Sequence, residues 1–188
     1  LNGHAYAQET SWDFEPYRIQ AVLALDLPGG LAEQLSKSLP SYLQDRVEAA
    51  IGPIWKLNTQ VASGPLRYRV LKSITLFTDA PPTDFPTDGD KLVLVSIRAV
   101  PEGFEITSRE YDHYVQRRGT PLHRMVRQQA AVPEQVFKLI WRIVAPLAHY
   151  ELDETNEHRV VLQFRGSSLP RKGDDAHWIS PGEALLPL

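Results

Sequence analysis

Apolar positions along the chain change their period several times, and each change marks an element. Tyr17 to Leu27 (YRIQAVLALDL) is almost continuously apolar in its later half, which predicts a strand at the centre of a sheet, covered on both faces. Pro28-Gly29-Gly30 breaks it. From Leu31 to Ile51 the apolar residues Leu31, Leu35, Leu39, Tyr42, Leu43, Val47, Ala50 and Ile51 fall near the helical period, opposite Lys37, Gln44, Asp45 and Glu48. Pro40 lacks an amide hydrogen and is expected to kink this helix or split it, and Gly52-Pro53 ends it.

Trp55 to Val61 (WKLNTQV) alternates with period two and reads as a half-buried strand. Pro65 to Phe77 fits a short helix or, at Ile74 to Phe77, a strand; Asp79 to Asp90, with three prolines and Gly89, reads as a loop. Lys91 to Val100 and Gly103 to Tyr114 predict an antiparallel hairpin turning at Pro101-Glu102-Gly103. Val132-Pro133-Glu134 opens a second long helix with an apolar stripe running from Val136 to Ala148, its last turns bent by Pro146. His158 to Phe164 reads as a final strand. Together these predict an α+β fold: a two-layer sandwich in which two long helices cover a mixed sheet of about five strands containing an antiparallel hairpin.

Length and composition narrow the function more than the fold. The 188 residues carry 20 Lys+Arg against 23 Asp+Glu, a net charge of -3, so the chain has no global field for nucleic acid or an anionic membrane. It contains no cysteine, so thiol catalysis, cysteine-ligated zinc and iron–sulfur clusters within these residues are excluded, and an amino-terminal lipid anchor on cysteine is not expected. No stretch approaches the roughly 20 apolar residues of a transmembrane helix.

Near the amino end, Ala5-Tyr6-Ala7 before Gln8 has the small-x-small form of a signal peptidase site. Cleavage is expected between Ala7 and Gln8, so residues 1–10 are read as a signal remnant or disordered leader, with a periplasmic or secreted bacterial protein following. Residues 11–165 are then the α+β domain, and 166–188 a loop and apolar tail, Trp178 to Leu188, that either starts a further domain or folds back.

The apolar VLALDL strand, the helix-to-strand run SYLQDRVEAAIGPIWKLN and the hairpin KLVLVSIRAV/GFEITSREYD with its following helix resemble the small α+β domains of bacterial envelope proteins. The amino-terminal domains of Tol-system propeller proteins and the curli secretion pore proteins are of this kind. The resemblance spans about residues 17 to 150 and implies a role in binding or assembly with other envelope proteins rather than catalysis.

Few residues carry chemistry in a recognisable pattern. Asp79, Asp84, Asp88 and Asp90 crowd one loop, and Asp84, Asp88 and Asp90 could offer hard oxygen ligands to calcium, although turn geometry alone explains such a loop and the EF-hand spacing is absent. Arg109, Arg117, Arg118, Arg124 and Arg127 concentrate positive charge between the hairpin and the second helix; a solvated face explains them, and so does a grip on an acidic protein or glycan. Asp174, Asp175 and His177 sit in another polar loop, and Ser167-Ser168 lacks the second glycine of a nucleophile elbow. Trp12, Phe14 and Tyr17 form an aromatic arm that packs on its own sheet or on another subunit, and Trp55 and Trp141 are expected in the core.

The sequence is therefore read as a non-catalytic, cofactor-free binding or assembly domain exported to the cell envelope, with a protein or glycan partner, no nucleic acid, and oligomerisation left open. Two alternatives stand beside it: a secreted hydrolase or glycan-modifying enzyme using loop Asp and His residues, and a calcium-dependent adhesion module.

Overall fold

The computed structural model describes residues 12–75, 85, 89–152 and 160–170. Within them the sheet runs in the order β2-β1-β3-β4, with β1 at Tyr17–Asp26, β2 at Trp55–Val61, β3 at Lys91–Val100 and β4 at Gly103–Asp112. Strand β1 lies between two parallel neighbours, β2 and β3, and β3 pairs antiparallel with β4. Two short strands, β5 (Arg117–Arg118) and β6 (Leu122–Val126), share the outer edge of β4. The mixed sheet with its antiparallel hairpin and helical cover is the α+β architecture expected from the pattern.

Helix α1 (Gly29–Ala50) runs through Pro40 as one element, so of the kink or split expected there the split does not occur. Pro40 is half-buried, and its helix face carries Leu35, Leu39, Leu43 and Val47, which are fully covered by the sheet. Burying four such side chains contributes on the order of 6–12 kcal/mol, more than the roughly 3 kcal/mol an interior proline costs a helix.

The ambiguous segment is helix α2 (Gly64–Thr75), whose Val70 and Ile74 pack with Val22, Ala24, Leu92 and Leu94 on the sheet face opposite α1. The sheet is thus covered on both sides, with a third helix making three layers where the pattern predicted two, which is why β1 is apolar at consecutive positions.

Helix α3 (Val132–Ile143) joins α1 on the larger core. Glu134 fastens the two, accepting from the Tyr42 hydroxyl at 2.7 Å and Arg46 Nε at 3.0 Å. Burial alone would raise the Glu134 pKa, but these two hydrogen bonds outweigh it and hold the carboxyl below its ordinary value.

The carboxyl-terminal end of α3 corrects a second expectation. The helix does not bend at Pro146; it stops at Ile143, and residues 144–147 cross the sheet without helical structure. This segment is pinned: the Leu147 amide donates to Tyr17 Oη at 2.8 Å, and the Ala145 amide to Glu110 Oε1 at 3.3 Å. Ala148, read as the end of that helix's apolar stripe, instead opens strand β7 (Ala148–Leu152), which pairs antiparallel with β8 (Val160–Phe164) in a separate two-stranded sheet.

Candidate functional site

Two features stand apart from ordinary core packing: a buried ionic network at one end of the sheet, and the surfaces this network holds in place.

The network begins with Lys91, which is fully buried at the start of β3. Counting back along the hairpin from the Val100↔Gly103 pair sets Lys91 opposite Asp112 and Val93 opposite Glu110. Alternation then turns Lys91, Glu110 and Asp112 to the same face, under the 144–147 segment. Lys91 Nζ donates to Glu110 Oε1 and to Asp112 Oδ2, each at 2.6 Å. Burial pushes the Glu110 carboxyl above its ordinary pKa, and Lys91 pulls it part of the way back. The other oxygen of Asp112 accepts the Tyr114 amide at 2.8 Å and so shapes the turn after β4.

Beside it lies Asp90, also buried, whose carboxylate accepts the Arg18 amide at 2.7 Å, Arg18 Nη2 at 2.9 Å and Arg165 Nη2 at 3.2 Å. Arg165, just after β8, also pairs with Glu15 at 3.2 Å and donates to the Tyr114 hydroxyl at 3.1 Å. Its guanidinium lies over the rings of Trp12, Tyr17 and Tyr114, at 4.9, 5.7 and 5.4 Å. One arginine thereby ties the amino-terminal aromatic arm, the end of the central sheet and the root of the β7–β8 hairpin into one unit.

This arrangement decides several candidates. Asp90 is saturated by arginine, so it is not an open ligand for calcium; Asp79, Asp84 and Asp88 lie outside the described residues, as do Asp174, Asp175 and His177. Among the described residues there is no group of three metal-ligating side chains. Of the aromatic arm, Tyr17 is buried and Trp12 packs against the core, whereas Phe14 is half exposed. Trp55 is buried and Trp141 lines the core edge, as expected. The proposed cleavage point between Ala7 and Gln8 and the tail from Trp178 lie outside the described residues.

The five arginines do not act alike. Arg109 is buried, its Nε donating to the Gly119 carbonyl at 3.0 Å, so it belongs to the fold rather than to a surface grip. Arg118 donates to the Ser73 carbonyl at 3.1 Å and ties β5 to α2. Arg117, Arg124 and Arg127 are exposed, and Arg124 and Arg127 line one shallow, open groove of about 310 Å³ with Met125, Gln128, Ala131 and Gln135.

The β7–β8 hairpin was not legible as a site. Its register pairs Ala148 with Phe164, Tyr150 with Leu162 and Leu152 with Val160, so one face carries six apolar side chains and no charge. Tyr150 and Leu152 are 66% and 68% exposed, and Val160 and Leu162 are exposed as well. The opposite face carries His149, Glu151, Val161 and Gln163.

His113, at the turn after β4, gives the network an acid-sensitive neighbour. Its ring meets Tyr111 edge-on at 5.0 Å, and its buried Nε2 has no hydrogen-bond partner among the described residues. Burial lowers its pKa, against an opposing pull from Asp112 and Asp90. The folded protein therefore binds this proton more weakly than the unfolded chain. The stability His113 provides is full above the ordinary value of 6.5 and falls as pH drops through it toward the lower folded pKa. Urea unfolding followed across this range should show a declining midpoint, and His113→Phe should flatten the decline.

Neither a family model nor a curated protein matches this sequence. Among solved structures, the crystal structure of TolB from Acinetobacter baumannii is weakly similar, with a TM-score of 0.38 and 13% identity over 82% of this chain. The chain spans 37% of the length of that structure.

Proposed function

We propose that this protein is a non-catalytic binding or assembly domain of the bacterial cell envelope, exported after cleavage between Ala7 and Gln8, and that it engages another envelope protein through the apolar face of the β7–β8 hairpin. The observation that carries this reading is the hairpin itself. A two-stranded ribbon is marginally stable alone in water, yet this one presents Tyr150, Leu152, Val160 and Leu162 to solvent. A contiguous exposed apolar face of this kind is a usual mark of a protein contact. The Arg165 network supports the same reading, because it fixes the root of the hairpin and so lowers the entropy lost when the face is covered.

The test separates folding from association. Tyr150→Ser with Leu152→Ser removes apolar side chains that are already two-thirds in water, 66% and 68% exposed, so the thermal midpoint should move little, by the equivalent of about 0.5 kcal/mol or less. The same variant, expressed with its natural upstream sequence in a bacterial host, should disappear from the high-mass complexes that the unaltered protein enters in the periplasmic fraction on native gels. Unchanged complexes would remove the hairpin from the account. A protein retained in the cytoplasm with residues 1–7 intact would remove export.

A further inference from the structure

The open edge of β6 offers a second surface, separate from the hairpin and independent of the reading above. Strand β6 pairs only with β4, so alternate residues between Leu122 and Val126 turn their amide and carbonyl groups away from the sheet with no strand partner among the described residues. The edge is firmly seated. Gly103 opens β4 at φ 137°, a conformation that disfavours other residues, and a Cβ there would meet the Val126 carbonyl oxygen at 2.4 Å. Val126 itself is buried in the core.

What stands along this edge is basic. Arg124 and Arg127 are exposed and have no carboxylate partner among the described residues, where Arg124 makes one long hydrogen bond, from Nε to Gln135 Oε1 at 3.3 Å. Between them Met125 is 51% exposed, and the groove continues past Gln128 and Ala131 at the start of α3.

We propose that this edge takes an extended, acidic peptide segment of a partner protein, added as a further antiparallel strand, with its carboxylates on Arg124 and Arg127 and an apolar side chain against Met125. Backbone hydrogen bonds to the free edge supply affinity, and the two guanidiniums select the sign of the peptide's charge. Charge also argues against a second copy of the chain. Antiparallel pairing of β6 with itself centres on Arg124 and sets two guanidiniums opposite each other, which is destabilising. Nucleic acid fits less well, because the whole chain carries a net charge of -3.

The test uses the full chain and three fluorescent peptides: an alternating Glu/Val peptide, the same peptide with alternate backbone nitrogens methylated, and an alternating Lys/Val peptide. The Glu/Val peptide should bind and raise anisotropy, more weakly at high salt, and should slow amide exchange across residues 122–126. Arg124→Glu with Arg127→Glu should weaken it by about tenfold or more and admit the Lys/Val peptide instead. Arg124→Gln with Arg127→Gln gives the same test with smaller perturbation should the charge reversal disturb folding. The methylated peptide should fail. No binding of the Glu/Val peptide, equal binding of the Lys/Val or methylated peptide, or binding that leaves the β6 amides unprotected would each overturn the proposal.

Discussion

Replacing Lys91 with methionine is expected to destabilise the protein by about 3–5 kcal/mol, because it strands buried charge. Methionine keeps most of the side-chain volume, so no large cavity opens and the loss is electrostatic. Glu110 and Asp112 would then be two carboxylates in one buried place, 7% and 8% exposed, with their shared cation gone. The pH dependence identifies the cause. Glu110 already has a raised pKa in the folded protein, so its contribution to stability is present below the ordinary carboxylate value and is lost as pH rises through the folded one. Without Lys91 that pKa rises further. The deficit of the variant should therefore be greatest near neutrality and shrink as pH falls through the carboxylate range. Adding Glu110→Gln and Asp112→Asn should restore most of the stability at neutral pH, because amides need no counter-cation and a carboxamide at position 112 retains an oxygen to accept the Tyr114 amide. Urea unfolding of the single and triple variants measures both effects. A deficit independent of pH would mean that packing, not charge, was lost.

The second large effect is expected at Arg165. Arg165→Ala removes ion pairs to Glu15 and Asp90, the hydrogen bond to Tyr114 and the contacts with three aromatic rings. Asp90 keeps Arg18, so its charge is not abandoned, and the loss should be about 2–3 kcal/mol. Lysine should rescue little, since an ammonium cannot fork between two carboxylates while lying flat on the rings. Much of the loss should be local. Hydrogen exchange should accelerate across residues 147–152 and 160–169, while the central amides of β1 and β3 stay protected. Uniform acceleration through the whole sheet would show instead that Arg165 holds up the entire domain and has no particular claim on the hairpin.

Most of the central fold was written in local periodicity. Strand β2 and the β3–β4 hairpin follow directly from alternation and from a two-residue turn, and β1 from its unbroken apolar run between parallel neighbours. Strand β7 was hidden because Val144, Leu147 and Ala148 prolong the apolar stripe of α3 in phase; only Pro146 signalled the break, and it ends the helix rather than bending it. Strand β6 was hidden because an edge strand of five residues holding His123 and Arg124 carries almost no alternation. The ionic network was recoverable in principle. The two-residue turn fixes the register that sets Lys91 against Asp112 and puts Glu110 two residues away on the same face. Read one residue at a time, Lys91 looks like a polar strand start, Asp90 like a loop ligand, and Arg109 like a surface cation. Arg165 had no local signal at all, since its partners Glu15 and Asp90 are distant in sequence.

The central claim is that the apolar face of the hairpin is covered by another envelope protein. Photo-crosslinking tests it most directly, with the reactive residue placed in turn at Tyr150, Leu162, Glu151 and Gln163 of the protein expressed with its natural upstream sequence in living bacterial cells. Register assigns the first two positions to the apolar face and the last two to the opposite face. The account predicts one discrete crosslinked protein from positions 150 and 162 and none from 151 and 163. Absence of any product from 150 and 162, or equal products from both faces, would contradict it.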